Sequence, residues 1–316
     1  HYAGFVATDY NSTYATKEAA AADGFFYADT ASFTNDPVYG SLTIVSNTTS
    51  NTEYTWTPVS AITADVLMVA GGGGGAGYMG SGGGAGGLKF YPSATLIDQK
   101  TIVVGNGGSG GDDTAGSVTS HGSKGNDTAF SGLLTVIGGG CGITYNRDTI
   151  DKNGGSGGGG NSGSSGAHLN GGTGISGQGN AGGDSQVVPA YKGGGAGGGG
   201  AGSAGSDAIV ANKTGGDGGD GLNYSITFGT TYGQNGYFAG GGGGAGRYGT
   251  QSGYGPGTSG TGGIGGGGDG APVNLPGLPG IKHTGGGGGG GALDEGNYIT
   301  EGGDGGSGIV LVKRTA

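Results

Sequence analysis

The chain has 316 residues, of which 93 are glycine, and its net charge is −10. Average proteins contain about 7% glycine, and a chain this rich in glycine stays disordered unless a regular backbone structure offsets its conformational entropy. The 12 lysine and arginine residues form no basic patch, which argues against nucleic acid as a partner. No apolar run is long enough to insert into a membrane, and the single cysteine, Cys141, excludes an intrachain disulfide.

Residues 1–60 are poor in glycine and form the first predicted region. Residues 16–23 resemble a short helix, with Thr16 as N-cap and Gly24 as the stop. Residues 41–45 and 53–57 alternate as strands do, and residues 47–51 separate them with a turn composition. Burial in a core is the favoured role of Trp56, the only tryptophan. We therefore predict an N-terminal strand-bearing segment, residues 1–60, that packs on the main body or docks to a neighbouring subunit.

Residues 61–316 alternate short apolar runs with glycine tracts, which predicts a second region with one repeated design. Five runs have the length and composition of strands: residues 64–70, 101–104, 133–137, 225–228 and 308–312. Two of these runs lead directly into glycine tracts, at Gly71 and Gly138. We predict an all-β fold in which a jelly-roll-like β-sandwich frame is closed by its C-terminal strand.

The glycine tracts between the runs need a regular structure of their own. Collagen is excluded, because the glycines are contiguous and only 8 prolines are present. Polyproline II-type helices made of glycine, with about three residues per turn, can pack side by side and bond to one another through the backbone. We predict that the tract at residues 71–87 and its echoes are such helices, that residues 150–220 consist almost wholly of them, and that Cys141 is a buried filler.

The order of the blocks resembles a known class of domain. VLMVAGGGGGAG, TIVVGNGGSGG, YFAGGGGGAG, HTGGGGGGG and GGSGIVLVKR follow one another between residues 66 and 314. This pattern looks like the glycine-rich domain of phage and other viral tail-fibre or appendage proteins, and it is similar in kind to the glycine-rich region of the anaplastic lymphoma kinase receptor and to glycine-rich phage adhesins. The resemblance implies a β-frame with polyglycine II helices that serves as a rigid surface module, and it assigns no functional residues.

Few residues indicate a chemistry. Glycine-rich nucleotide motifs occur without the strand–turn–helix context that they need, and nothing specifies a catalytic site, so we predict no enzyme. Residues 215–223 fit one copy of a calcium nonapeptide, which works only in stacked repeats. Two readings stay open for Asp217 and Asp220, a solvated turn and a Ca²⁺ site, and calcium is the one cofactor considered.

Five Asn-X-Ser/Thr sequons make up the candidate glycosylation sites: Asn11, Asn47, Asn126, Asn212 and Asn223. Chance alone would produce several sequons in a chain so rich in asparagine, serine and threonine, so coincidence and a glycosylated extracellular protein are both open.

Aromatic residues interleave with glycine between positions 228 and 254 and suggest a recognition surface. The candidate ligand-binding residues are Tyr232, Tyr237, Phe238, Arg247, Tyr248 and Tyr254. Aromatic faces on rigid loops suit sugar or surface recognition, whereas aromatic residues that cap the edge of a glycine-helix bundle would have a packing role.

These observations lead to two hypotheses of function. The first is a non-enzymatic, extracellular or virion-surface protein, a tail-fibre or surface-fibre subunit whose loops contact a host glycan or protein. The second is a self-assembling subunit of a glycosylated extracellular filament of a cell, in which residues 1–60 add edge-on to the next subunit.

Overall fold

The computed structural model describes residues 4–8, 25–26, 33–36, 40–112, 120–144, 148–162, 168–185, 194–209, 214–246, 257–272, 275–292 and 300–315. Its strands are β1 (Gly4–Thr8), β2 (Phe25–Phe26), β3 (Phe33–Asp36), β4 (Gly40–Asn47), β5 (Asn51–Thr57), β6 (Ile62–Val69), β7 (Leu88–Leu96), β8 (Lys100–Gly105), β9 (Ala129–Phe130), β10 (Asn161–Ser162), β11 (His168–Leu169), β12 (Leu222–Asn223), β13 (Tyr237–Phe238) and β14 (Ile309–Arg314). The described helices are α1 (Ser225–Phe228) and a single 3₁₀ turn, Ile150–Lys152. None of the helices in these ranges is long and apolar enough to cross a membrane.

Two five-stranded sheets form the frame. The first has the strand order β2-β1-β14-β6-β7 and the second β3-β4-β5-β8-β9. All neighbours are antiparallel except β1 and β2. The C-terminal strand β14 lies between β1 and β6, so the predicted closure of the frame by the last strand is confirmed.

The core of the frame lies between the two sheets, as in a β-sandwich. Strand β5 alternates in burial, so Tyr54 and Trp56 point inward and are fully buried. They pack with Phe130 of the same sheet and with Val66 and Val310 of the other sheet. Burial of Trp56 was the favoured prediction and is confirmed. Each large buried side chain contributes roughly 1.5–3 kcal/mol through the hydrophobic effect.

A small lobe, residues 222–238, covers the outer face of the first sheet. It consists of β12, α1 and β13, and β12 pairs with β13 in antiparallel fashion. Phe228 and Phe238 are fully buried in a second cluster, against Leu67 and Leu311 of the sheet. The outer face is therefore dry, and β6 and β14 are buried on both faces.

The glycine tracts form a bundle of extended segments, here called the glycine bundle. It comprises residues 71–76, 80–87, 106–112, 122–127, 137–144, 157–160, 170–175, 179–185, 194–200, 204–208, 215–221, 239–246, 257–263, 267–272, 276–281, 285–292 and 300–308. These segments contain neither an α-helix nor a β-strand, and backbone hydrogen bonds run from each segment to its neighbours.

Hydrogen bonds from segment 71–76 repeat every three residues. The N–H of Gly71 donates to Asn126, and three residues later the N–H of Gly74 donates to Ser123 of the same neighbour. The remaining two positions of each turn serve two other segments: Gly72 and Gly75 donate to Gly306 and Gly303, and Gly73 and Ala76 donate to Gly84 and Ser81. Three residues per turn is the period of the polyproline II helix, so the predicted polyglycine II helices are confirmed.

The carbonyl groups of the same segment bind three further neighbours. Gly139 and Gly142 donate to Gly71 and Gly74, Gly108 and Gly111 donate to Gly72 and Gly75, and Gly288 and Gly291 donate to Gly73 and Ala76. Segment 71–76 is thus surrounded by six others. Its backbone is satisfied in all directions without side chains, which is how buried peptide groups avoid an energetic penalty.

Close approach between segments explains why the bundle needs glycine. A Cβ atom built on Gly72 would lie 2.1 Å from the carbonyl oxygen of Gly286, and one on Gly242 would lie 2.1 Å from that of Gly288. Cβ atoms do not approach a backbone oxygen this closely, so an added methyl group would push two segments apart. The requirement comes from the neighbouring segment, because neither glycine has a positive φ.

Two predicted strands are wrong. Residues 225–228 form α1, because the Oδ1 atom of Asn223 accepts a hydrogen bond from the N–H of Ser225 (2.7 Å) and starts a helical turn. Ile226 and Phe228 would share one face of a strand, yet Ile226 is 99% exposed and Phe228 is buried.

Residues 133–137 also fail to form a strand. A turn follows β9 at Gly132, whose φ is +90°, and Leu134 is 66% exposed. Only Val136 makes a bridge, to Thr128, because the chain continues directly into a glycine segment.

The other predictions at residues 41–45, 53–57, 64–70, 101–104 and 308–312 are confirmed as parts of β4, β5, β6, β8 and β14. Asn51 and Thr48 close the predicted turn through the Thr48 N–H. The helix predicted at residues 16–23 lies outside the described residues.

Candidate functional site

One end of the glycine bundle faces away from the sandwich, and we call it the loop end. Segment 71–76 leaves β6 at the sandwich and reaches the loop end at Tyr78. Tyr78 donates to Thr300, and Gly80 donates to Gly291 and accepts from Ala245, so these residues share that end. The hydrogen-bond partners of the other segments show in the same way which of their ends lies at the loop end.

Seven stretches of the chain are flanked on both sides by described residues of the loop end, and we call them the connections. The described residues that flank each of the segments 113–119, 145–147, 163–167, 186–193, 210–213, 247–256 and 293–299 lie there. Turns at the sandwich end, such as residues 175–178 and 264–266, have three or four residues, whereas the stretches at the loop end range from three residues (145–147) to ten (247–256). The described residues on both sides of these seven stretches therefore lie at one end of the bundle.

A polar network holds the loop end in place. Asn161 is buried and its Nδ2 donates to the carbonyls of Met79 (2.6 Å) and Ile143 (3.1 Å). Ser81 Oγ donates to Gly159 O (2.7 Å) and accepts from the N–H of Ile143 (2.8 Å). Met79 has a φ of +54°, a conformation that costs energy for a residue with a side chain and that this network maintains.

Aspartates occupy the outer edge of the bundle in a repeated role. Oδ1 of Asp217 accepts from the N–H of Thr261 (2.7 Å) and from its hydroxyl (3.0 Å). Three residues later, Oδ1 of Asp220 accepts from the N–H of Ile264 (3.2 Å). The same type of bond, from a backbone N–H to an aspartate Oδ1, recurs at other edges. The donor and acceptor pairs are Gly262 to Asp269, Gly171 to Asp184, Asp184 to Asp207, Gly110 to Asp304, and Gly138 to Asp127.

This arrangement explains the Gly-Gly-Asp spacing of residues 215–220 without a metal. Residues three apart lie on the same side of a three-residue helix, so both carboxylates point at the adjacent edge segment. Each one replaces a backbone carbonyl that an edge segment lacks. Among the described residues, no group of three or more His, Cys, Asp or Glu side chains is placed to hold a metal ion. Calcium at Asp217 and Asp220 stays a prediction.

Comparison with protein families decides the class of the chain. The family model described as "Glycine-rich domain" matches residues 48–315. The chain belongs to the glycine-rich domain family. No curated protein matches it. The match begins at the turn between β4 and β5, so the glycine-rich domain includes β5, which pairs with β8 in the second sheet.

Within the glycine-rich domain, the three described candidate aromatic residues lie in the lobe of residues 222–238. Tyr232 and Phe238 are buried in the lobe at the sandwich end, where they cover the first sheet. Tyr237 is half-buried in β13 of the same lobe. Packing, the alternative considered for these aromatic residues, accounts for their placement. Arg247, Tyr248 and Tyr254 lie outside the described residues.

The three described sequon asparagines differ in exposure. Asn47 and Asn223 are exposed, whereas Asn126 is half-buried and its Nδ2 donates to Asn106 O (3.2 Å). The hydroxyl of Thr128, in the Asn126 sequon, accepts from Gly105 N–H in the interior (2.9 Å). Asn11 and Asn212 lie outside the described residues. Asn47 and Asn223 are therefore the accessible candidates among those described.

Cys141 lies inside the glycine-rich domain, fully buried, and the prediction that it is a buried filler is confirmed. Burial raises the pKa of its thiol to about 12, and the nearby carboxylate of Asp151 adds to the rise. A thiol that stays protonated at neutral pH is a poor nucleophile.

Sequence reasoning missed the loop end. The recognition-type residues are spread over segments far apart in sequence, and only the direction of each glycine helix brings their flanks together. A weak signal was present, since tyrosines recur between the glycine tracts, at positions 145, 191, 248, 254 and 298.

Proposed function

We propose that the protein is a non-enzymatic structural and adhesive module located outside the cell or on a virion, a tail-fibre or surface-fibre subunit whose loop end contacts a host surface. One observation carries this proposal: the described residues that flank the seven connections gather at one end of a rigid bundle. Membership of the glycine-rich domain family supports the architecture only, and the setting is our inference.

The composition of the connections fits recognition. They carry five of the 16 tyrosines and four of the 12 cationic residues, the latter being Arg147, Lys192, Lys213 and Arg247. Tyrosine, serine, glycine and asparagine dominate the recognition loops of antibodies, because tyrosine supplies contact area at a low entropic cost. Tyrosine and arginine are also frequent at energetic hot spots. A host glycan or protein is the expected ligand class.

The bundle supplies a stiff support for those connections. The polyglycine helices are fixed by backbone bonds to several neighbours, and a substitution in one helix is resisted by all of them. Binding residues on a rigid scaffold lose less freedom on binding than residues on a flexible one.

The test exchanges residues 247–256 for a glycine–serine segment of equal length. We expect binding to a panel of bacterial cells and immobilised surface polysaccharides to fall at least tenfold, with an unchanged melting temperature. Ile226→Ser, at an exposed position of the lobe at the sandwich end, is the matched control and should bind as the parent does. Equal binding by the exchanged protein would contradict the proposal.

One observation favours the second candidate, a self-assembling filament subunit. β2 and β3, both from the N-terminal 36 residues, are the outermost described strands of their sheets. The opposite edge strand β7 is interrupted by Pro92 and by Ser93, whose φ is +50°. Proline and bulges discourage edge-to-edge pairing. At β9, the other edge of the second sheet, Thr128 already bridges to Val136. β2 and β3 are therefore the edges left for a neighbour.

Proline substitutions in β3 distinguish the two candidates. The register of β3 shifts between Phe33 and Asp36, so Thr34→Pro and Asn35→Pro are both made, and each removes one N–H donor from the strand. If edge-on addition builds a filament, one of the two variants stays monomeric in analytical ultracentrifugation under conditions in which the parent polymerises. A parent that is monomeric at all concentrations removes the filament candidate.

A further inference from the structure

Residues 275–281 form an edge of the glycine bundle that differs from all its other described edges. Its sequence is LPGLPGI, two repeats of an apolar residue, proline and glycine. The N–H groups of the segment bond to two neighbours: Gly277 and Gly280 donate to the carbonyls of Glu301 and Asp304, and Leu278 and Ile281 donate to those of Asp269 and Gly266. A third neighbour, segment 285–292, donates to the Leu278 carbonyl through Gly289. Two of the three positions in each turn are thereby used.

The third position in each turn is proline. Pro276 and Pro279 point to the side where no glycine segment follows, and proline has no N–H to donate. A further polyglycine helix could receive no backbone hydrogen bond from this side. On this side the edge offers no donor for growth of the bundle, in the same way that proline protects the edge of a sheet.

The side chains of this edge form an exposed apolar ridge, here called the Leu-Pro ridge (residues 275–281). Leu275, Leu278 and Ile281 are spaced by three, lie on one side and are 55%, 50% and 45% exposed. Both prolines beside them are exposed as well. Two apolar–proline pairs therefore stand one turn apart, about 9 Å in a polyproline II helix.

The glycines of the ridge fix its orientation. A Cβ on Gly277 or on Gly280 would lie 2.2 Å from the carbonyl oxygen of Gly289 or Gly286. These positions must face the bundle, so the leucines and prolines cannot turn inward. The ridge is held in the polyproline II conformation before any partner arrives.

Acidic residues flank the ridge on both sides. Asp269 is exposed on the segment that receives the bonds of Leu278, and Glu301 and Asp304 are exposed on the opposite one. Lys282 lies beyond the sandwich end of the ridge and is exposed. An apolar patch with a charged rim is the usual anatomy of a protein interaction site.

We propose that the Leu-Pro ridge docks a partner protein through an aromatic-lined groove with a basic rim. Such grooves recognise polyproline II segments by receiving consecutive apolar–proline pairs in two pockets, and they gain from a helix that is already formed. A second copy of this chain is a poorer occupant, because two acidic rims would face each other. The site lies on the side of the bundle and is independent of the loop end.

The experiment uses the full chain and a purified SH3-class domain whose groove rim carries lysines, with tryptophan fluorescence of the groove as readout. The only tryptophan of the chain, Trp56, is fully buried and should not respond. We expect saturable binding that weakens with salt. The same domain with its groove tryptophan changed to alanine is the control probe and should not bind.

Variants locate the contact. L275Q/L278Q and Pro279→Ala should each weaken binding at least about tenfold, since they remove the side chains that enter the pockets. Ile226→Gln changes an exposed isoleucine elsewhere and should leave binding intact. All these positions are exposed, so the melting temperature verifies folding.

Three results would overturn the proposal. They are no saturable binding up to about 1 mM probe, undiminished binding by L275Q/L278Q, and a dimer of the parent chain that this double variant abolishes. The last result would place a second copy on the ridge.

Discussion

The sandwich and the glycine bundle solve the same problem with opposite means. In the sandwich, backbone hydrogen bonds run within two sheets, and Trp56, Tyr54 and Phe130 fill the space between them. Inside the bundle, hydrogen bonds leave a segment such as 71–76 in six directions and no space is left to fill. A core of side chains can repack when a residue changes, whereas a core of backbone has nothing that can move aside.

Gly242→Val should produce the largest effect of a single substitution. The new Cβ would meet the carbonyl oxygen of Gly288 at 2.1 Å, and the branched side chain would meet further backbone. We expect a loss of at least about 4 kcal/mol in the free energy of unfolding, measured by denaturant titration.

The matched exchange in the sandwich is Met68→Leu, at a fully buried position. It conserves volume and should cost less than about 1.5 kcal/mol. A loss of about 1 kcal/mol or less for Gly242→Val would show that the tract is a loose loop.

Trp56→Ala should cost about 3–5 kcal/mol, because it leaves a cavity between the sheets. β6 runs directly into segment 71–76, so we expect amide protection in that segment to fall together with protection in β5, measured by hydrogen exchange. Full retention of protection in the bundle would mean that the two regions unfold independently.

Asp217→Ala should have a smaller effect, about 0.5–2 kcal/mol by analogy with the loss of a helix cap. The N–H of Thr261 loses its acceptor and should exchange faster with solvent. Asp217→Asn keeps an acceptor oxygen and is expected to behave nearly as the parent.

The same pair of variants examines the calcium prediction. If added Ca²⁺ raises the melting temperature of the parent, and Asp217→Asn loses that rise, a metal site is established. An unchanged hydrogen-exchange rate at the Thr261 N–H in Asp217→Ala would contradict the hydrogen bond between this N–H and the Asp217 carboxylate.

Cys141 should show the smallest effect near neutral pH. Its pKa is raised from 9.0 to about 12, so the folded protein keeps the proton at a pH at which the unfolded chain has lost it. Stability is therefore unaffected below about pH 9 and falls as the pH rises from there toward 12. Modification by a thiol reagent should follow the unfolding rate. Rapid labelling of the native protein would contradict the burial of the thiol.

The strands of the frame could be predicted from the sequence where apolar and β-branched residues follow a strand-like pattern. β5 and β14 carry the apolar and β-branched residues that a strand needs, and both were predicted. Residues 225–228 show the same alternation and form a helix, since the hydrogen bond from Ser225 to Asn223 is a local contact that a pattern of hydrophobicity does not contain.

The bundle could be predicted in kind but not in arrangement. Contiguous glycine indicates polyglycine II helices, yet glycine has no side chain to specify which segment becomes whose neighbour. The three-residue spacing of Asp217 and Asp220 is visible in the sequence. It is compatible both with carboxylates that bond to an adjacent edge segment and with metal ligands. The loop end and the Leu-Pro ridge depend on the direction and neighbours of each helix, and the sequence of a single tract specifies neither.

The three-residue repeat of the hydrogen bonds also constrains how the gene can change. Removing one glycine from residues 71–76 would rotate everything downstream by about 120°, so that each N–H would face the wrong partner. Removing three would restore the phase and shorten the tract by about 9 Å. Insertions and deletions in the tracts should therefore be tolerated only in triplets of residues, and only where all surrounding tracts change length together.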